Sequence, residues 1–395
     1  MEFQLWMLLV FPLFFGMGWL AARIDIKELL SESSALPQSY FQGLKFLLNE
    51  QPDKAIEAFI EVVKVDPQTV ELHFALGSLF RRRGEVDRAL RMHHNLVDRV
   101  DLDDDKRQQA IFELAQDYLK AGILDRAESL FRELESTPYA RQALEFLLEL
   151  FQKEHDWLKA IAVAQRLTAV AGQSYSKQAA FFYCELASEE IAQGNAKDNL
   201  AGAREHLQHA LQVYPDSVRA TMMRGDMEAG EGKHEEAIAV WKKIETQDGQ
   251  YLPLVAERLL NAYRSLKRET EGIALLREYL SKYHSLDLMN VVFDGVLKNE
   301  GAAAAYQLVR DELERNPTLL GLDKLLEARL LEVSLERRAD IELVKDLVHK
   351  RTRNLAMYHC ANCGFKARQF YWHCPACHAW DSYPPRRSEE TGTPL

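Results

Sequence analysis

Three patterns of apolar and polar positions divide the chain. Residues 3–22 read FQLWMLLVFPLFFGMGWLAA, with Gln4 the single strongly polar side chain. Between about 36 and 354, apolar positions recur at helical spacing inside a longer period near 34 residues. From Met357 the pattern turns short and aromatic, MYHCANCGFKARQFYWHCPACHAWDSY, with four cysteines close together. The first pattern predicts a membrane helix, the second an array of helix pairs, and the third a small module that needs a metal to fold.

The long period is clearest in VELHFALGSLFRRRGEVDRALRMHHNLVDRV, residues 70–100, which carries Leu76, Gly77, Phe80, Gly84, Ala89 and Leu96. The unit before it has Gly43, Phe46, Ala55, Phe59 and a closing Pro67; the unit after it has Ala115, Tyr118, Gly122, Ala127 and Phe131. Gly43 to Gly77 and Ala55 to Ala89 are both steps of 34. A small residue, an aromatic three places on and an alanine nine beyond that form the tetratricopeptide pattern. Weaker copies follow around Phe151 and Ala160, Ala203 to Pro215, Gly225 to Trp241, Leu259 to Leu276 and Phe293 to Pro317. Residues 318–350 look like one more helix pair without the signature, where a solenoid wants a capping unit. In each unit, small residues sit where two antiparallel helices approach, and a glycine ends the first helix in the left-handed conformation. Stacked pairs give a right-handed superhelix whose concave groove suits protein surfaces.

Twenty residues at 1.5 Å each reach about 30 Å, the hydrocarbon thickness of a bilayer. Trp6 and Trp19 lie toward the two ends of residues 3–22, as interfacial rings do. A cleavable signal peptide is the alternative. It wants a positive start, whereas the only charge before the apolar run is Glu2, and Leu20-Ala21-Ala22 is a poor cleavage site. Arg23 and Lys27 follow the span and no base precedes it, so the bulk of the chain is expected in the cytoplasm.

Composition narrows the function. Gly (19) and Pro (12) are scarce over 395 residues, which favours helix over sandwiches and barrels. Lys and Arg number 49 against 60 Asp and Glu, a net charge of −11 with no basic stripe, so nucleic acid is excluded as a partner. No Walker loop, dinucleotide fingerprint, nucleophile elbow or HExxH occurs, and no enzyme is expected. His206 with His209 reads as surface, His93-His94 as packing in an aromatic slot, and Arg81-Arg82-Arg83 as a solvated turn. Cys184, inside AAFFYCELA, reads as a small core residue.

Cys360, Cys363, Cys374 and Cys377 form C-x2-C-G, a ten-residue gap and C-P-x-C. Two such knuckles facing each other supply four thiolates in a tetrahedron, suited to zinc as a staple or iron as a one-electron centre. Gly364 stands where the first knuckle needs a left-handed backbone, and the aromatics from Tyr358 to Trp380 are expected to give the module its own core, shared little with the repeats. His359, His373 and His378 flank a site that four thiolates already close.

With an apolar start, a long repeat array and terminal knuckles, the chain resembles the lipopolysaccharide assembly protein B family of Gram-negative bacteria. The telling stretches are YFQGLKFLLNEQPDKAIEAFIEVVKVDPQTVELHFALGSLFRRRGEVDRAL, residues 40–90, and the closing knuckles, which look like that family's rubredoxin-like domain. The resemblance implies an all-α tetratricopeptide solenoid with an N-terminal transmembrane helix and a small C-terminal rubredoxin-like metal module. Its expected parts are an anchor at 1–24, a linker at 25–35, about eight repeats and a capping pair at 36–354, the metal domain at 355–383 and a disordered tail at 384–395. It further implies a single-pass inner-membrane adaptor facing the cytoplasm, one iron ion on the four cysteines with zinc as the alternative, and no catalysis. Its implied partners are the membrane protease FtsH, the deacetylase that commits cells to lipid A synthesis, and lipopolysaccharide transport or assembly proteins; a homodimer stays open. Two other readings stand beside it, a membrane-tethered electron-transfer protein and a general peptide-binding chaperone.

Overall fold

The computed structural model describes residues 41–43, 45, 46, 49, 51–65, 70–194, 197–353 and 355–391. The expected membrane span at residues 3–22 and the linker at 25–35 lie outside these. Among the described residues no helix is long and apolar enough to cross a membrane. Helix follows helix to Thr352, most of them packed on the next within each unit, and among the described residues one two-stranded hairpin, Tyr358–His359 with Lys366–Ala367, comes after them. The chain forms two compact units, one ending at Leu150 and one beginning at Phe151.

In the first unit, helices Pro52–Val65, Val70–Arg83 and Val86–Val97 enclose Ala55, Phe59, Leu72, Leu76, Phe80 and Ala89. The repeat signature has a steric cause here. A Cβ on Gly77 would collide with the His93 imidazole, and one on Gly43 would collide with the Phe59 ring. In the second unit a Cβ on Gly225 would strike the Trp241 indole in the same way. Each pair is sixteen residues apart, so the small residue of one helix is the socket for the large residue of the next. The second unit has one large core, with Trp241, Leu252, Leu259, Tyr279, Leu288 and Phe293 inside it, and a smaller one around Ala180, Cys184, Ala203 and Leu207. Cys184 is fully buried, and burial pushes its thiol up to about 12, so it stays a neutral core group.

The turn inside each unit explains why some repeats read weakly. Gly84 (φ 85°) and Gly122 (φ 75°) follow Phe80 and Tyr118 by four residues and adopt the left-handed conformation. The same slot after Phe151 holds His155 (φ 59°), and after Tyr263 it holds Lys267 (φ 58°). The backbone geometry is kept where the glycine is lost, at a cost of roughly 1–2 kcal/mol per position.

The Arg81-Arg82-Arg83 turn differs from its expected solvated state. Helical spacing aims Arg81 inward, where Nη1 donates to Asp117 Oδ1 at 2.7 Å and Nη2 to Glu113 Oε2 at 2.5 Å. The second oxygen of Asp117 lies 2.5 Å from His93 Nδ1, and both Asp117 and His93 are fully buried. Arg83 pairs with Asp53 and Glu85. His93 therefore packs, as its slot requires, and also joins Arg81 around the buried Asp117 carboxylate. His94 is exposed and faces Asp98. His206 and His209 lie against the Tyr183 ring, and residues 318–350 form the helices Leu319–Leu330 and Leu335–Thr352.

Candidate metal centre

Two turns of the same design present the four cysteines. In the first, Cys360 N donates to Phe365 O at 2.9 Å and Gly364 N donates to Cys360 O at 2.9 Å. In the second, Cys374 N donates to Ala379 O at 3.0 Å and His378 N donates to Cys374 O at 2.9 Å. The position four residues past the leading cysteine is left-handed in both, Gly364 at φ 75° and His378 at φ 57°. Flanking pairs repeat the match, His359 with Lys366 in the hairpin and His373 with Trp380 in an isolated bridge.

Facing each other, the turns bring Cys360 Sγ within 3.7 Å of Cys377 Sγ, and Cys363 Sγ within 3.7 Å of Cys374 Sγ. All four sulfurs lie within 4.8 Å of one another. A regular tetrahedron with 3.7 Å edges has its centre about 2.3 Å from each corner, the zinc–thiolate bond length. Asn362 Nδ2 donates to Cys377 Sγ at 3.4 Å, and the Ser382 hydroxyl lies 3.2 Å from Cys360 Sγ. Burial opposes ionisation of Cys360, but Ser382 and the amides of Cys363 and Asn362 outweigh it and hold the thiol down to about 6. Cys377 is also held low, by the Asn362 side chain first and then the Ala379 amide. At Cys363 the Phe365 amide favours the thiolate, yet the three neighbouring sulfurs push it up to about 12. Four sulfurs this close repel one another as thiolates, so the donor set fits a metal cation taken up with release of protons.

The flanking histidines take other roles. His373 stacks on Trp380 with ring centroids 4.3 Å apart and donates from Nε2 to His378 O at 3.0 Å. His359 sits in the hairpin opposite Lys366. His378 occupies its place because histidine tolerates the left-handed region better than most residues. His378→Gly is therefore expected to keep the metal and stabilise the module by about 1 kcal/mol, read as a higher chelator concentration at half-release. Loss of metal from that variant would make His378 a ligand.

The module does not keep its aromatics to itself, contrary to the expectation of a separate core. Trp380 stacks on Phe181 at 5.2 Å, meets Phe182 edge-on at 5.8 Å and donates from Nε1 to Gln152 Oε1 at 2.7 Å. Trp372 stacks on Tyr251 at 5.3 Å, and Phe370 and Trp372 pack against the large repeat core. Asp381 fastens the junction further, taking the Tyr251 hydroxyl on one oxygen and Lys177 Nζ on the other, each at 2.5 Å. Thirty residues cannot bury so many rings alone, and the repeats supply the missing surface.

The expected disordered tail also differs. Arg387 grips Asp287 through Nε at 3.0 Å and Nη2 at 2.8 Å, and its guanidinium lies 4.0 Å from the Tyr358 ring centroid. Glu389 accepts from Leu319 N at 2.5 Å and Leu320 N at 2.9 Å, and Glu390 accepts from Leu286 N at 2.9 Å. Two helix N-termini of the repeats are thus capped by carboxylates from the end of the chain. Residues 392–395 lie outside the described residues. Reading the sequence missed Gln152, Phe181, Tyr251 and Asp287. One signal was available: adjacent Phe181 and Phe182 leave their helix in different directions, and Phe181 meets Trp372 and Trp380 while Phe182 meets Trp157 and Trp380.

Residues 358–384 match the rubredoxin metal binding domain family, and residues 42–91 and 196–251 match the tetratricopeptide repeat family. Lipopolysaccharide assembly protein B of Escherichia coli (strain K12) is 33% identical over 96% of this chain and 97% of its own length. The protein of that name from Haemophilus influenzae is 27% identical over 97% of this chain and 98% of its own. The matched families are a metal-binding domain and a tetratricopeptide repeat, and neither description names a catalytic activity. An identity of one third across both the repeats and the metal module means that the chain belongs to the lipopolysaccharide assembly protein B family.

Proposed function

We propose that the chain is a non-enzymatic adaptor in lipopolysaccharide assembly, tethered to the inner membrane by residues 3–22 with its bulk in the cytoplasm. In this reading it presents the deacetylase that commits cells to lipid A synthesis to the membrane protease FtsH, and it holds other lipopolysaccharide assembly proteins nearby. The observation that carries it is the 33% identity to the Escherichia coli lipopolysaccharide assembly protein B over nearly the full length of both chains. The repeats and the fastened metal module support it by offering a broad protein-binding surface without catalytic groups. Tethering confines both partners to two dimensions, so weak contacts suffice. Iron is the proposed occupant of the cysteine site, and a ferric–thiolate absorption in purified protein checks it against colourless zinc.

The test is the half-life of the deacetylase in cells depleted of this protein and complemented with either the full chain or a chain lacking residues 1–24. At matched expression the full chain is expected to restore normal turnover and the shortened chain to leave it abnormal. Full restoration by the shortened chain would show that presentation at the membrane is not the mechanism.

A further inference from the structure

We propose that a cleft where the repeats meet the metal module binds an arginine side chain presented by a partner protein. The inference rests on the adaptor reading, since a partner has to supply the arginine. The cleft measures about 140 Å³ and is lined by Asp216, Gln247, Asp248, Tyr251 and Trp372, with Lys177 and Arg219 at its wall. Pockets for whole small molecules run to roughly 300–1,000 Å³, so this one has the size for a side-chain head group.

The charges select a cation. Lys177 is engaged by Asp381 at 2.5 Å and Arg219 by Glu185 at 2.7 Å. Asp248 accepts from Gln250 N at 3.0 Å, and among the described residues neither it nor Asp216 has a cation within ion-pair reach. Gln247 is oriented by donating from Nε2 to Pro215 O at 2.7 Å and Thr221 Oγ1 at 2.9 Å, which leaves its buried Oε1 without a donor. Two exposed carboxylates, Asp216 and Asp248, line the cleft beside the rings of Tyr251 and Trp372.

The same junction shows what fills such a place. Arg219 lies 5.9 Å from the Trp380 ring centroid with Glu185 as its carboxylate, and Arg387 lies 4.0 Å from Tyr358 with Asp287 as its carboxylate. Each is a guanidinium held between an aromatic face and an acid. The cleft repeats this chemistry, with Tyr251 and Trp372 as rings and Asp216 and Asp248 as acids, and none of the chain's described guanidinium groups is paired with those acids. A planar fork of five donors meets two carboxylates beside aromatic faces better than a lysine ammonium does.

The probe is N-acetyl-arginine methylamide, titrated into the full chain in detergent and followed by the indole N–H shift of Trp372, assigned with Trp372→Phe. Binding in the millimolar range is expected. N-acetyl-citrulline methylamide, the same shape without charge, is expected to bind at least tenfold more weakly. So is free arginine, whose carboxylate meets the acidic mouth. Asp216→Asn with Asp248→Asn, checked for unchanged metal content and helicity, is expected to weaken the arginine probe at least tenfold. Equal binding of the arginine and citrulline probes to the unaltered chain, or undiminished binding to the double variant, overturns the proposal. Free arginine binding more tightly than the capped form overturns its assignment to a protein partner. A silent probe alongside normal deacetylase turnover by the full chain would sink the cleft and spare the adaptor reading; expected probe binding alongside turnover restored by the anchorless chain would do the reverse.

Discussion

Cys360→Ser combined with Cys377→Ser is expected to abolish metal binding, unfold the module from Met357 onward and loosen the repeats on which it sits. Apparent binding free energies of about 10–16 kcal/mol for structural zinc in small peptides far exceed what so small a core provides, so the module folds only with its metal. Its loss uncovers Phe181, Phe182 and Tyr251 and removes the indole donor that Trp380 gives Gln152. It also frees Arg387, Glu389 and Glu390 from Asp287 and from the helix starts at Leu319 and Leu286. Amide exchange is expected to accelerate in helices Ser176–Ala192 and Leu286–Glu300, while helix Val70–Arg83 of the first unit keeps its protection. Cys184→Ser is the control and should retain the metal, because its thiol is buried and neutral. Stoichiometric metal in the double variant refutes the site. Unchanged exchange throughout residues 176–300 refutes the coupling to the repeats.

That coupling marks the limit of what the sequence made legible. The repeats were readable because each is a local object: Gly77 and His93, or Gly225 and Trp241, are sixteen residues apart, and the socket and its filler recur at a fixed period. The knuckles were readable for the same reason, since a turn of six residues sets the direction of both its sulfurs. The docking of the module depends on pairs such as Gln152 with Trp380 and Asp287 with Arg387, separated by 228 and 100 residues, and no local pattern announces them. The tail reads as RRSEETGTPL, polar and turn-rich, the composition of a disordered end. Its residues Glu389 and Glu390 are held because two helix N-termini lie within reach of their carboxylates, a fact of the fold alone. Arg81 was hidden differently. Three arginines at a helix end suggest solvent, and only the position of Asp117 in the following repeat shows that the first of them points inward.

Asp117→Ala is expected to destabilise the first unit by about 3–5 kcal/mol, the usual cost of removing one partner of a buried ion pair. The carboxylate is fully buried and serves two partners, Arg81 on one oxygen and His93 on the other. Its removal leaves the Arg81 guanidinium, 16% exposed, with Glu113 alone, and leaves His93 with neither ring nitrogen satisfied, since Nε2 already lacks a partner above Gly77. Asp117→Asn keeps an acceptor for Arg81 and should cost less, about 1.5–3 kcal/mol for a hydrogen bond to a charged group. The preceding repeat suggests the compensating change, because its equivalent socket at Gly43 holds the plain ring of Phe59. Replacing the triad together, Arg81→Met with His93→Phe and Asp117→Leu, is therefore expected to restore the stability that Asp117→Ala loses, as apolar replacement of buried ion clusters often does. The measurement is the opening free energy from amide exchange in helix Asp104–Ala121, which reports this unit without requiring the whole chain to unfold in one step. A change below about 1 kcal/mol in Asp117→Ala would show that the triad does not hold these repeats together. A triple variant as unstable as the single one would show that the charges, and not merely the filled socket, are what the packing requires.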